Sequence, residues 1–205
     1  MRYTLEPEHP ITDAAAKIAT GRTLGEWFAA LDTFGGREKG RRAVNTYLVD
    51  QKVDPWWCTT IAVEYEKQHD ARLKDGLFEG YFICATKTVA APVEAVYAAW
   101  TTNEALSHWF GPGTSADVRD GGSYANADGD RGTFQRVRAN KDLRLTFENP
   151  AFSAPTQVEA QLQDKGKGKT GLLVNHKRIQ SRAEADGLRA AWGEALDRLK
   201  KHCES

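Results

Sequence analysis

The residue types that most often carry chemistry are widely spaced in this sequence. Its 205 residues include 5 histidines and 3 cysteines, and neither set has the spacing of a metal site or a redox pair. The histidines are His9, His69, His108, His176 and His202, and the cysteines are Cys58, Cys84 and Cys203. We therefore expect no metal, no cofactor and three reduced thiols.

Three local motifs that suggest chemistry also lack a required residue. Ser107 and His108 are neighbours on a predicted helix, so they point in different directions, and no acid is placed to orient the imidazole. Residues 126–130 begin like a calcium loop, but Arg131 stands where glycine is needed. Residues 168–170 end like a phosphate-binding loop, yet Gln163 stands where the leading glycine is needed and a strand follows instead of a helix. The sequence favours a non-enzymatic protein, and leaves an enzyme open.

Composition excludes several classes of partner. The chain has 28 basic and 28 acidic residues, so no net field attracts it to nucleic acid or to an anionic membrane. No apolar segment approaches the length needed to cross a bilayer, and the first residues lack a secretory pattern. We expect a soluble cytoplasmic protein that binds neither nucleic acid nor membrane.

Residues 1–75 are predicted to form a small helical module of three or four helices. Thr23 and Glu26 have the spacing of a capping box, and Asp54 followed by Pro55 is a second helix start. Helical spacing then groups large apolar residues into buried stripes: Trp27, Ala30, Leu31 and Phe34 in one helix, and Trp57, Ile61 and Tyr65 in another.

Two functions are open for this module. In the first, two of its helices form a DNA-binding helix-turn-helix, with phosphates held by Arg37, Lys39, Arg41 and Arg42. A recognition helix needs polar residues at its N-terminal end, whereas Trp56, Trp57 and Cys58 stand there. We therefore prefer the second function, in which the module is an interaction element that contacts a protein partner.

Residues 80–205 are predicted to form a second domain, in which the chain changes to alternating patterning after Pro112. The segment 156–164 places Val158, Ala160 and Leu162 on one face of a strand, and short polar turns separate it from its neighbours. We expect six or seven antiparallel strands. A closing helix begins with a capping box at Ser181 and Glu184, and its apolar stripe can cover the apolar face of the sheet.

One segment and its continuation carry a family resemblance. Residues 87–112 are predicted to form a strand, a helix that starts at Pro92, a second short helix capped by Asn103, and a turn. The motifs are Ala91-Pro92, Ala99-Trp100-Thr101, Trp109-Phe110-Gly111-Pro112, Gly121-Gly122-Ser123-Tyr124, Gly132-Thr133-Phe134 and the strand 143–147. Residues 80–203 resemble the SRPBCC (START/Bet v 1-like) superfamily, most closely the branch named after the activator of heat-shock protein 90 ATPase. The N-terminal part resembles an uncharacterised small helical domain family found beside such domains in bacterial proteins.

The resemblance implies an α+β helix-grip fold, in which a curved antiparallel sheet wraps around the C-terminal helix and leaves a cavity. The residues expected to line it are Trp109, Tyr124, Phe134, His176 and Trp192. His176 shares a strand face with Leu172 and Val174 and would be a polar contact for a ligand. It is alternatively a core histidine bonded to a backbone carbonyl, and Trp192 is alternatively a packing residue.

Our first hypothesis is non-enzymatic binding of a small hydrophobic ligand between sheet and helix, with the helical module contacting a protein partner. Such folds host many unrelated functions, so three alternatives stay open. They are a cyclase- or aromatase-like enzyme using the same cavity, a co-chaperone that activates an ATPase, and a ligand-responsive DNA-binding regulator.

Overall fold

The computed structural model describes residues 1–205 and has seven helices and seven strands. The helices are α1 (Asp13–Thr20), α2 (Leu24–Phe34), α3 (Gly36–Asp50), α4 (Pro55–Gln68), α5 (Val93–Thr101), α6 (Asn103–Trp109) and α7 (Arg182–Glu204). The strands are β1 (Tyr81–Val89), β2 (Ser115–Ala116), β3 (Ser123–Ala125), β4 (Arg131–Arg138), β5 (Asp142–Phe147), β6 (Thr156–Gly166) and β7 (Lys169–Ile179). The chain divides into two compact units, residues 7–81 and residues 1–6 with 82–205.

The helical unit, residues 7–81, contains α1 to α4. The predicted helix starts are present, because Thr23 and Glu26 form a complete capping box and Asp54 caps α4 ahead of Pro55. Gly40 interrupts α3 with a φ of 78° and a ψ of 171°, a conformation almost confined to glycine. The buried core of the unit includes Trp27, Leu31, Val44, Leu48, Trp56, Trp57, Ile61 and Tyr65.

The helix-grip unit, residues 1–6 with 82–205, contains one sheet of seven strands. Their order is β1-β7-β6-β5-β4-β3-β2, and each pair from β2 to β7 is antiparallel. Val158 lies opposite His176 in the register of β6 and β7. The sheet is combined with α5, α6 and the long α7, so the expected α+β helix-grip fold is confirmed.

The two short helices between β1 and β2 begin close to the predicted positions. Pro92 is the N-cap of α5, one residue before its first helical turn. The sequence predicted Asn103 as the cap of α6, and this prediction is wrong. Asn103 is the first helical residue, and Thr102 precedes it as N-cap. The Asn103 Oδ1 atom instead accepts a hydrogen bond of 2.8 Å from the Ala116 backbone N–H, which ties α6 to β2.

Helix α7 closes the core of the helix-grip unit. Ser181 and Glu184 form the predicted capping box at its start, and the helix packs against α5, α6 and β7. Its buried stripe includes Leu188, Trp192, Leu196 and Leu199. No helix in the chain combines the length and the apolar character needed to cross a membrane.

Candidate ligand-binding site

A small apolar cavity lies within the helix-grip unit, where α5 and α6 meet strands β3 to β5. It is lined by Trp100, Leu106, Phe110, Thr114, Tyr124, Phe134 and Leu145. Its volume is about 10 Å³, which is room for about one water molecule. The lining contains no charged side chain, so the site is suited to neutral, largely apolar groups.

Tyr124 is held in the cavity wall by close packing against β4. Gly132 lies opposite Tyr124 in the register of β3 and β4. A Cβ atom at Gly132 would lie 2.0 Å from the carbonyl oxygen of Thr146 and 2.8 Å from Cε1 of Tyr124. Only glycine therefore permits this approach of the ring to the sheet, and the Tyr124 hydroxyl donates a 3.0 Å hydrogen bond to the Thr146 carbonyl.

Both hydroxyl groups in the lining donate their protons to the protein. Tyr124 donates to Thr146, and Thr114 Oγ1 donates to the Gly111 carbonyl at 2.6 Å. Burial raises the pKa of Tyr124 well above its usual value, and the charges of Asp130 and Glu148 raise it further. The phenol therefore remains neutral near pH 7, and each hydroxyl oxygen can still accept a hydrogen bond.

Trp100 differs from these hydroxyls because its donor is unused. Its side chain is 3% exposed, and its ring packs against Trp109 at 4.6 Å and Trp192 at 6.2 Å between ring centroids. The Nε1–H group has no acceptor among the protein's atoms. Other buried indoles do have one, since Trp27 donates to Thr20 and Trp109 donates to the Ala99 carbonyl.

His176 belongs to a closed hydrogen-bond chain beneath α7. Trp192 Nε1–H donates to Nδ1 of His176 at 2.9 Å, so the imidazole proton is assigned to Nε2. That nitrogen donates to Thr156 Oγ1 at 2.7 Å, and the Thr156 hydroxyl donates to the Phe147 carbonyl at 2.8 Å. Burial lowers the pKa of His176 to about 3, so the ring is neutral at pH 7.

Comparison with known proteins places the chain in a family. Residues 90–204 match the family model described as "Activator of Hsp90 ATPase homolog 1-like protein". The chain belongs to this family. The match covers the two short helices, most of the sheet and α7, and hence every residue that lines the cavity. None of the curated proteins compared with the chain matches it.

Solved structures of several other proteins show the same fold as this family member. CalU16 from Micromonospora echinospora is 24% identical, with a TM-score of 0.53 over 58% of this chain and 73% of that one. DynU16, a putative protein in the dynemicin biosynthetic locus, is 26% identical, with a TM-score of 0.54 over 60% of this chain and 47% of its own. An HSP90 activator from Plasmodium falciparum is 15% identical, with a TM-score of 0.55 over 60% and 96%.

The family member's five sequence-predicted site residues separate into two groups. Tyr124 and Phe134 line the cavity. The other three, Trp109, His176 and Trp192, do not line the cavity. They belong to the cluster of packed rings that also contains Trp100 of the cavity wall. The structure adds residues that the sequence reasoning did not select: Trp100, Leu106, Phe110, Thr114 and Leu145. Trp100 and Phe110 stand in the motifs of the family resemblance, and this position in the motifs is the sequence signal that could have identified them as lining residues.

Outside the helix-grip unit, two of the four basic residues that were considered for phosphate binding, Lys39 and Arg41, bind neighbouring groups of the protein. Arg41 pairs with Glu66 and donates to the Gly80 carbonyl. Lys39 donates to the Phe34 carbonyl at 2.7 Å and lies over the Phe34 ring. A groove of about 550 Å³ between α3 and α4 has both acidic and basic side chains in its walls. No group of three or more His, Cys, Asp or Glu side chains is arranged to hold a metal ion.

Proposed function

We propose that this chain binds a small, largely apolar molecule in the cavity between α5, α6 and the sheet, without converting it chemically. The observation that carries the proposal is the lining, which joins aromatic and aliphatic side chains with two hydroxyls and one indole N–H. Ligand sites commonly have this composition, an apolar wall with a few placed polar groups. Membership of a family with this fold supports the same function.

Binding in this cavity requires side chains to move. A volume of about 10 Å³ does not hold an aromatic ring, so a ligand must displace part of the wall. Phe110 and Phe134 are the side chains that we expect to move, because they form the part of the wall beside Tyr124. Their ring centroids lie 5.7 and 5.6 Å from that of Tyr124. Opening the wall costs free energy that the ligand's contacts must offset. We therefore expect weak binding of simple aromatic compounds, with Kd values of about 0.1 to 1 mM.

The arrangement of His176 supports binding in preference to catalysis. A general acid or base must reach the reacting group by a hydrogen bond, and both ring nitrogens of His176 are already engaged by Trp192 and Thr156. Its lowered pKa also keeps the ring from acting as an acid at neutral pH. A cyclase-like reaction in this unit would therefore need a different proton donor.

The helical unit is included in the proposal as an element that contacts a protein partner. Its surface carries two strongly exposed apolar side chains, Ile18 and Val49. At the start of α4, Trp56, Trp57 and Cys58 are buried, so none of these three side chains is presented to DNA bases. These observations support a protein contact more than a nucleic-acid contact. Ile18→Glu and Val49→Glu variants should leave the fold intact and weaken that contact.

The test of ligand binding uses nuclear magnetic resonance with two neutral probes, acetophenone and naphthalene. Titration should shift the signals of Trp100, Leu106 and Phe134 in a saturable way, and intermolecular Overhauser effects should connect the probe to the same side chains. Saturable shifts located elsewhere, or none up to the solubility of the probes, would reject the proposal.

A matched pair of variants separates the cavity from general loosening of the core. Leu106→Phe adds volume to the cavity wall, whereas Leu196→Phe adds the same volume on α7 away from the cavity. Both changes overpack a buried site and should cost about 1–3 kcal/mol of unfolding free energy. Probe binding should be lost only in Leu106→Phe. Equal loss in both variants would contradict the assignment.

A further inference from the structure

The unused donor of Trp100 constrains the ligand more sharply than the apolar wall does. More than nine tenths of buried polar groups in proteins have a hydrogen-bond partner, and an exception calls for an explanation. The Nε1–H of Trp100 is such an exception, and the residue that carries it is part of the cavity wall. A donor beside a cavity can be paired by an acceptor that enters the cavity.

The other polar groups of the wall do not compete for this role. The hydroxyl protons of Tyr124 and Thr114 are donated to backbone carbonyls. Among the side-chain donors of the residues that line the cavity, the indole N–H of Trp100 is therefore the one without a partner in the protein. The wall offers no cationic side chain, and burying an unpaired carboxylate would be strongly unfavourable. The acceptor that fits is accordingly neutral.

We propose that Trp100 Nε1–H recognises a neutral acceptor oxygen, a carbonyl or an ether, on a ligand whose remaining surface is apolar. This inference rests on the proposed binding function and names the chemical class of its ligand. Aromatic or aliphatic ketones belong to this class, whereas hydrocarbons and carboxylates do not. Trp100 is thus a specificity-determining residue, since it acts on the choice of ligand and changes no bond in it.

The experiment compares acetophenone with α-methylstyrene, which has nearly the same shape but carries a methylene group in place of the carbonyl oxygen. A neutral hydrogen bond inside a protein corresponds to a preference of roughly three- to tenfold in Kd. Wild-type protein should bind acetophenone more tightly by that factor. The indole N–H signal of Trp100, assigned by its absence in Trp100→Phe, should move downfield with acetophenone and not with α-methylstyrene.

Two variants locate the preference. Trp100→Phe keeps an aromatic wall without the donor and should bind both probes with nearly equal Kd. Trp192→Phe removes an indole N–H that already donates to His176, so the preference for acetophenone should persist in it. If Trp100→Phe does not fold, the Trp100 indole signal is assigned from triple-resonance spectra of the wild-type protein, and its response to the two probes decides the question by itself.

The outcomes distinguish failure of this inference from failure of the proposed binding function on which it rests. Equal binding of both probes at the cavity, with no movement of the Trp100 indole signal, would overturn the inference and leave ligand binding standing. Occupation of the N–H by a single tightly held water, seen as an Overhauser effect to water that acetophenone does not remove, would overturn it as well. Failure of both probes to bind would reject both proposals.

Discussion

Two neighbouring tryptophans of the helix-grip unit have opposite hydrogen-bonding environments. The rings of Trp100 and Trp192 lie 6.2 Å apart between centroids and are nearly parallel, at 18°. Trp192 donates to His176, which is itself bonded to Thr156. Trp100 donates to no protein atom. The same residue type, in the same aromatic cluster, is therefore part of a completed network in one place and has an unmet donor in the other.

The difference separates a structural region from a candidate binding region. Beneath α7, each polar group of the hydrogen-bond chain that runs from Trp192 through His176 and Thr156 to the Phe147 carbonyl has a partner. Buried networks that are fully satisfied hold one arrangement of the core. Beside α5 and α6, a small cavity adjoins a buried donor without a partner. The second region therefore contains an unpaired donor, and the first does not. The sharpest tests are changes that should affect the two regions differently.

The largest change in the free energy of unfolding is expected for a substitution at Gly132, beside the cavity. Gly132→Ala would place a Cβ atom 2.0 Å from the Thr146 carbonyl oxygen, and a backbone atom of β5 cannot move away without disturbing the sheet. We expect a loss of about 3 kcal/mol or more in the free energy of unfolding, measured by urea denaturation.

Gly193→Ala is the matched control for this change. Gly193 lies within α7, and its added Cβ would meet no heavy atom within 4 Å. Alanine in a helix interior is favoured over glycine by about 0.5–1 kcal/mol, so this variant should be slightly more stable than the wild type. A Gly132→Ala protein of unchanged stability would mean that Tyr124 is not packed against β4 as described.

The second test makes the same substitution in both tryptophans. Trp192→Phe removes the donor to the buried Nδ1 of His176 as well as part of a packed ring, and should cost about 2–4 kcal/mol. Trp100→Phe removes a similar volume but also removes an unsatisfied donor, so its cost should be lower by about 1–2 kcal/mol. Urea denaturation of both variants measures the difference. Equal costs would contradict the contrast between the two regions.

The architecture was readable from the sequence because its signals are local. The capping boxes at Thr23 and Ser181 are present as predicted. The alternation in residues 156–164 places Val158, Ala160 and Leu162 in the core. Each of these signals depends on residues within one element, where backbone geometry fixes which side chains share a face. A prediction of fold needs only a consistent series of such signals.

The site was less predictable because it depends on distances between elements. Sequence alternation grouped His176 with the inward residues of β7, but it could not show that Trp192 and Thr156 would supply its partners. Trp100 stands in one of the motifs of the family resemblance, and nothing in the sequence shows that its N–H lacks an acceptor. Whether a buried polar group is satisfied is decided by tertiary packing, which spacing along the chain does not encode.

The smallest expected change in the free energy of unfolding is its dependence on pH, which arises from His176 in the hydrogen-bond chain beneath α7. His176 has a pKa of about 3 in the folded protein, against a usual value of 6.5. Between these values the unfolded chain binds a proton at His176 that the folded protein does not, so the contribution of His176 to stability is fully present above pH 6.5 and is lost as the pH is lowered toward 3. The slope is about 1.4 kcal/mol per pH unit in that range.

The comparison variant is His176→Gln, whose side chain does not titrate. It should be less stable than the wild type near neutral pH, because an amide cannot reproduce both bonds to Trp192 and Thr156. From about pH 7 to about pH 5, however, the wild type should lose about 2 kcal/mol more than the variant, as urea denaturation at each pH would show. The remaining titrating groups are common to both proteins and cancel in the difference. Parallel pH profiles would mean that His176 can be protonated in the folded state, so the network beneath α7 would be open to water and the contrast with Trp100 would no longer hold.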